Sequence, residues 1–187
     1  MSVKAAPTYQ FSVAEYYKLG EVGIFHEDDR VELLNGDIVI MAPIGIRHVK
    51  AMRRLLRVMS KHFGERCIVD AQNPLQIDMR SAPQPDILLL RPDADSRSTL
   101  PFPEDVLLLV EVADSSLVYD QTEKREAYAR VGIPEYWLLD LTQNQLLVFR
   151  DPAAGAYTSE ARLQIADVIA PLAFPDSVIS VADLLPP

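Results

Sequence analysis

The segment "LLLVEVADSS", Leu107 to Ser116, constrains this chain more than any other. Four apolar residues lead straight into Glu111, and Val112 and Ala113 follow it. Such a run reads as a buried strand. A buried carboxylate without a partner costs several kcal/mol or gives up its charge. The fold must therefore bring a compensating group to Glu111.

The 187 residues suit one domain, spanning 1–187, with room for a substantial core. Apolar content of 49% and charged content of 24% are ordinary for a soluble globular protein. The apolar runs fall far short of the roughly 18 residues needed to cross a bilayer. The opening "MSVKAAPTYQ" lacks the apolar stretch of a signal peptide. The single cysteine, Cys67, can form neither an internal disulfide nor, alone, a thiolate metal site. We expect a cytoplasmic protein with no membrane partner. A net charge of −9 argues against broad, non-specific nucleic-acid binding but allows a local basic surface.

Such a surface is visible at residues 46–63, which read as a long helix. Val49, Met52, Leu56, Met59 and Phe63 recur at helical spacing. The other face carries Arg47, Lys50, Arg53, Arg54, Arg57 and Lys61 with no acid among them. It reads either as a solvated face or as a stripe for phosphates, with Lys50, Arg54 and Arg57 as candidate phosphate contacts.

Elsewhere, Ser12-x-x-Glu15 is a capping box ahead of a short helix ending near Gly20. "VELLNGDIVIM" reads as a largely buried β-hairpin about Asn35-Gly36. Strands are expected at 67–71, 74–79, 87–90 and 106–113, with a Pro-rich loop at 91–105. Asp120-x-x-Glu123 reads as a second capping box, opening a helix that ends at Gly132. "PEYWLLDL" and "QLLVFR" read as two further strands, in which Tyr136 and Trp137 belong to the core and Asp140 reaches solvent. "SVADLLPP" forms a last helical turn. Central strands flanked by helices make a mixed α/β (α+β) sheet architecture whose strand order is not derivable from pattern.

Three acids sit inside apolar strand patterns: Glu32, Asp86 and Glu111. Each alone can reach solvent from a strand end. Together in a dry place they would repel one another, and a divalent cation such as Mg²⁺ resolves that repulsion with hard oxygen ligands. Lys124, Ala127, Tyr128 and Val131 share one helical stripe, which turns Lys124 toward the sheet. Lys124 either snorkels outward, pairs with Asp120, or reaches the carboxylates, where it could orient water or stabilise charge on a phosphate. His48, at the start of the basic helix, is a candidate accessory ligand or base. No Walker loop, G-x-G-x-x-G, G-x-S-x-G or H-E-x-x-H motif is present.

"VELLNGDIVIMAP", His48, "PQPDILLL", "LLLVEVADSS" and "YDQTEKREAYARVGIPEYWLLDL", in that order, resemble the Uma-type (Uma-two) restriction endonuclease family of the PD-(D/E)XK nuclease superfamily. The resemblance runs from about residue 10 to 185. It implies a restriction-endonuclease-like fold, a central mixed sheet flanked by helices with an N-terminal hairpin. It further implies an Mg²⁺ site, with Mn²⁺ as substitute, formed by Asp86 and Glu111, with Glu32 as a third acid. The superfamily's usual lysine lies two residues beyond the second acid, where this chain has Ala113; Lys124, on the next helix, matches the migrated position. Asp120 and Tyr128 also match family positions. Many relatives carry Ser-Pro-Ser where this chain has Asp114-Ser115-Ser116, and Asp114 is either a further ligand or solvated. The expectation is a homodimeric, metal-dependent endonuclease acting on nucleic acid, DNA before RNA. The rival is a non-catalytic nucleic-acid-binding or interaction module on the same fold.

Overall fold

A computed structural model of the chain describes residues 8–26, 28–96 and 98–186. Met1 to Pro7, which carry most of the segment read as lacking a signal peptide, lie outside the described residues. The chain runs α1 (Val13–Glu21), β1 (Val31–Leu34), β2 (Asp37–Ile40), α2 (Ile46–Phe63), β3 (Ile68–Ala71), β4 (Ile87–Leu90), β5 (Val106–Ala113), α3 (Leu117–Tyr119), α4 (Arg125–Arg130), β6 (Glu135–Asp140), β7 (Gln145–Ala153), β8 (Ala156–Leu163), β9 (Val168–Ile169), β10 (Ile179–Ser180) and α5 (Val181–Leu184). Strands β3 to β8 form one six-stranded sheet in sequence order. Every pairing is antiparallel except β5–β6, which is parallel. A parallel pair needs a long crossover, and the helical segment from Leu117 to Arg130 provides it.

Side chains alternate across a strand, so β5 feeds two cores. Leu108, Val110 and Val112 pack with Ala51, Leu55, Met59 and Phe63 of α2 and with α5. Leu109 and Ala113, which share the face of Glu111, pack with Ala127 and Tyr128 of α4 and with Leu34 of the hairpin. The sheet is thus covered on both sides, which explains why its central strands are apolar on both faces.

The capping box is formed as read: the Ser12 side chain accepts from the Glu15 amide, and Glu15 accepts from the Ser12 amide. The hairpin turns at Asn35 and Gly36, both at positive φ (53° and 83°), as a two-residue turn requires. Several expectations need correction. Only β1 is well buried, and Ile40 of β2 is 83% exposed, because β2 is the outer strand of a two-stranded sheet. Residues 74–79 form no ladder strand. Leu75 and Ile77 donate to Pro83 and Ser81 in an irregular loop with isolated bridges. The inner face of α2 is Ala51, Leu55, Met59 and Phe63, and Leu56 is partly exposed. Asp140 is buried, accepting hydrogen bonds from Thr142, Gln143 and Gln145. Asp120 caps nothing: the helix begins at Leu117 and widens to a π turn over Asp120–Lys124 before α4.

Candidate active site

Four elements converge on Glu111. β5 places it on the sheet face covered by α4, where it is 3% exposed. Its Oε1 accepts from Lys124 Nζ at 3.0 Å and from the Tyr128 hydroxyl at 2.7 Å. Its Oε2 lies 3.4 Å from the amide of Asp86, the residue ahead of β4. Lys124 also stands 3.3 Å from Glu32 Oε2, on β1, and 4.0 Å from Asp120 Oδ1. The ammonium is therefore caged by three acids, the compensation that Glu111 demands. It is supplied by the π turn, a rare geometry that concentrates at functional sites.

Each carboxylate is held separately. Glu32 Oε2 accepts from the Gln84 amide at 3.1 Å. Asp86 Oδ2 accepts from the Val112 amide at 2.8 Å and lies 3.2 Å from His48 Nε2, while Gln72 Nε2 stands 3.4 Å from Oδ1. Asp120 Oδ2 accepts from the Ser116 hydroxyl at 2.5 Å. Burial pushes the Glu111 carboxyl up to about 8; Lys124 opposes that rise, while Asp120, Asp86 and Glu32 add to it. Burial likewise raises Asp120, to about 6, against the pull of Lys124 and Ser116. Burial alone would push the Lys124 ammonium down, but Glu111, Glu32 and Asp120 hold it well above its ordinary range. Burial, reinforced by Glu111 and Glu32, raises Tyr128 strongly, so its phenol stays a donor.

The cluster floors a cleft of about 440 Å³. Its walls include Val39, Ile40 and Ile44, Tyr119, His48 and Asp114. Of the sequence-read residues, Asp86, Glu111, Lys124 and Glu32 come together here, with His48 against Asp86. Asp114 pairs with Arg47 at 3.0 Å. Arg47 also donates to the Leu141 carbonyl. In the basic helix, Arg54 donates to the carbonyls of Ala182 and Asp183, tying α2 to α5. Lys50 and Arg57 are exposed. Two participants were underread from sequence. Asp120 looked like a cap, although its place four residues before Lys124 signalled proximity. Gln72 gave no signal: it follows β3 at positive φ (57°), which turns the chain beside Asp86.

The donor set suits a hard divalent cation in part. Mg²⁺ is commonly held by one or two carboxylates plus water and substrate oxygens. Asp86 and Glu111 Oε2 are such donors, whereas Glu111 Oε1 and Glu32 Oε2 are engaged with Lys124. Among the described residues, no group of three or more His, Cys, Asp or Glu side chains is arranged to hold a metal. The fit is thus to a two-carboxylate site completed by non-protein oxygens. Among the described residues, the buried His48 Nδ1 has no hydrogen-bond partner.

In fold, the chain is similar to a crystal structure of "a putative nuclease belonging to DUF820" from Anabaena variabilis ATCC 29413. The two share 15% identity over 93% of this chain and 97% of that one, with a TM-score of 0.73. The restriction-endonuclease-like mixed sheet expected from the sequence is the one present. No curated protein matches the chain. Residues 13–182, most of the chain, match the family model Uma2, described as "Putative restriction endonuclease". The protein belongs to the Uma2 family.

Proposed function

We propose that the protein is a divalent-metal-dependent nuclease that hydrolyses phosphodiester bonds, in DNA before RNA. The observation that carries this reading is the convergence of Asp86, Glu111 and Lys124, from three separate elements, on the buried floor of one open cleft. When bound, Mg²⁺ or Mn²⁺ supplies Lewis acidity toward the scissile phosphate and a water of lowered pKa. Asp86 and Glu111 would hold the ion. The Val112 amide and His48 fix the Asp86 carboxylate, so the site is built before the substrate arrives.

Lys124 is the electrophilic partner. Its ammonium stays charged in a dry setting and can stabilise negative charge growing on the phosphate oxygens. Glu32 and Asp120 hold Lys124 in place, so Glu32 serves catalysis through the lysine. Lys50 and Arg57 are available to guide the backbone of a nucleic acid, while Arg54 would have to release two carbonyls to do so.

The test separates binding from turnover. Calorimetric titration of Mn²⁺ should show binding to wild type and to Lys124→Met, and none to Glu111→Ala. Cleavage of labelled single- and double-stranded oligonucleotides should fall by about 10² or more in Lys124→Met. Unchanged cleavage in that variant would remove Lys124 from the mechanism.

A further inference from the structure

We infer that Tyr128 is a positioning residue that dictates which oxygen of Glu111 faces the cleft, and thereby sets the affinity of the site for a divalent cation. The inference rests on the metal-site reading given above. Its basis is a division of labour within one carboxylate. Oε1 is doubly engaged, by the Tyr128 hydroxyl at 2.7 Å and Lys124 Nζ at 3.0 Å. Among the described residues, Oε2 has only the long 3.4 Å approach of the Asp86 amide.

A glutamate that rotates freely can chelate with both oxygens or swing away. Here two donors fix the carboxylate plane and leave Oε2 toward Asp86. Lys124 cannot do this alone, because it is shared with Glu32 and Asp120. The Tyr128 hydroxyl makes its side-chain hydrogen bond to Glu111. The ring is itself fixed: it is fully buried and meets Tyr136 edge-on at 5.3 Å between ring centres. Partners of this kind, one step removed from a metal, typically change its affinity 10- to 100-fold when lost.

Tyr128→Phe keeps the ring, its volume and its contact with Tyr136 while deleting the donor. Mn²⁺ affinity measured by calorimetry should fall about 10-fold or more. Tyr136→Phe deletes a neighbouring phenol that donates to the Asp120 carbonyl at 3.1 Å, and it should leave the affinity within about twofold. Wild-type affinity in Tyr128→Phe would overturn the inference and leave the metal site standing. Absence of divalent-ion binding by wild type would overturn both. A readout on wild type does not depend on Tyr128→Phe folding. The infrared band of Glu111, identified by its loss in Glu111→Gln, should shift on Mn²⁺ addition as a one-oxygen ligand. A two-oxygen shift means that Oε1 has left Tyr128 and contradicts the inference.

Discussion

Lys124 is a structural necessity before it is the electrophilic partner of the mechanism proposed above. Its ammonium balances Glu111, Glu32 and Asp120 in a space where none of the four side chains reaches water freely. Removing it strands buried carboxylates, so Lys124→Met should lose about 3 kcal/mol in chemical denaturation. Part of that loss should return when Mn²⁺ is added, because a cation again stands beside Glu111. A variant as stable as wild type would show that the acids do not depend on the lysine. Cys67 illustrates the opposite case, a titratable group kept out of chemistry. Burial raises its thiol to about 11, and its Sγ rests on the Phe63 carbonyl. Iodoacetamide at pH 8 should leave native Cys67 unlabelled while modifying it readily in urea.

At the scale of elements, the hairpin places Glu32, and the helix after β5 places Asp120 and Lys124. The hairpin was legible because a two-residue Asn-Gly turn has a strict backbone demand. Gly36 is at φ +83°, and a Cβ there would come within 2.6 Å of Gln10 Oε1. Gly36→Ala should therefore cost about 1 kcal/mol or more, read as a fall in Tm. The helix after β5 was legible only in part. The stripe of Lys124, Ala127 and Tyr128 correctly turned the lysine inward. The pattern Asp120-x-x-Glu123 mimicked a helix start, because capping-box residues carry no record of where hydrogen bonding begins. The π turn is stabilised by tertiary ion pairs among residues distant in sequence, so no local rule announces it. The expected strand at 74–79 failed for a related reason: alternation was present, but among the described residues no neighbouring strand completes a ladder.

For the whole molecule, the two-sided sheet follows from apolar β4, β5 and β6, which was readable, whereas strand order depends on pairings that pattern does not encode. On the far side of the sheet the buried Glu135 pairs with the half-buried Arg150. Glu135 accepts from Arg150, from Trp137 Nε1 at 2.7 Å and from the Leu172 amide at 2.6 Å. Glu135→Ala should cost about 1–3 kcal/mol through the donors it leaves unpaired, followed by Trp137 fluorescence in urea. Asp140 links stability to pH. Burial alone would raise its carboxyl, but hydrogen bonds from Thr142, Gln145 and Gln143 hold it below its ordinary value of 3.8. A depressed carboxyl stabilises the fold above its unfolded value and loses that contribution as pH falls through the folded one. Asp140→Asn should therefore melt below wild type at pH 7, and the gap should close below about pH 4. A gap independent of pH would assign the effect to geometry rather than charge.

In the function proposed above, Asp86 and Glu111 together make the chain a metal-dependent nuclease. The most direct measurement is cleavage of end-labelled single- and double-stranded DNA by wild type, Asp86→Ala and Glu111→Ala, each with Mg²⁺ and with EDTA. Wild type should cleave with Mg²⁺ alone, and neither variant should cleave. Cleavage that persists in EDTA, or in both variants, would contradict it.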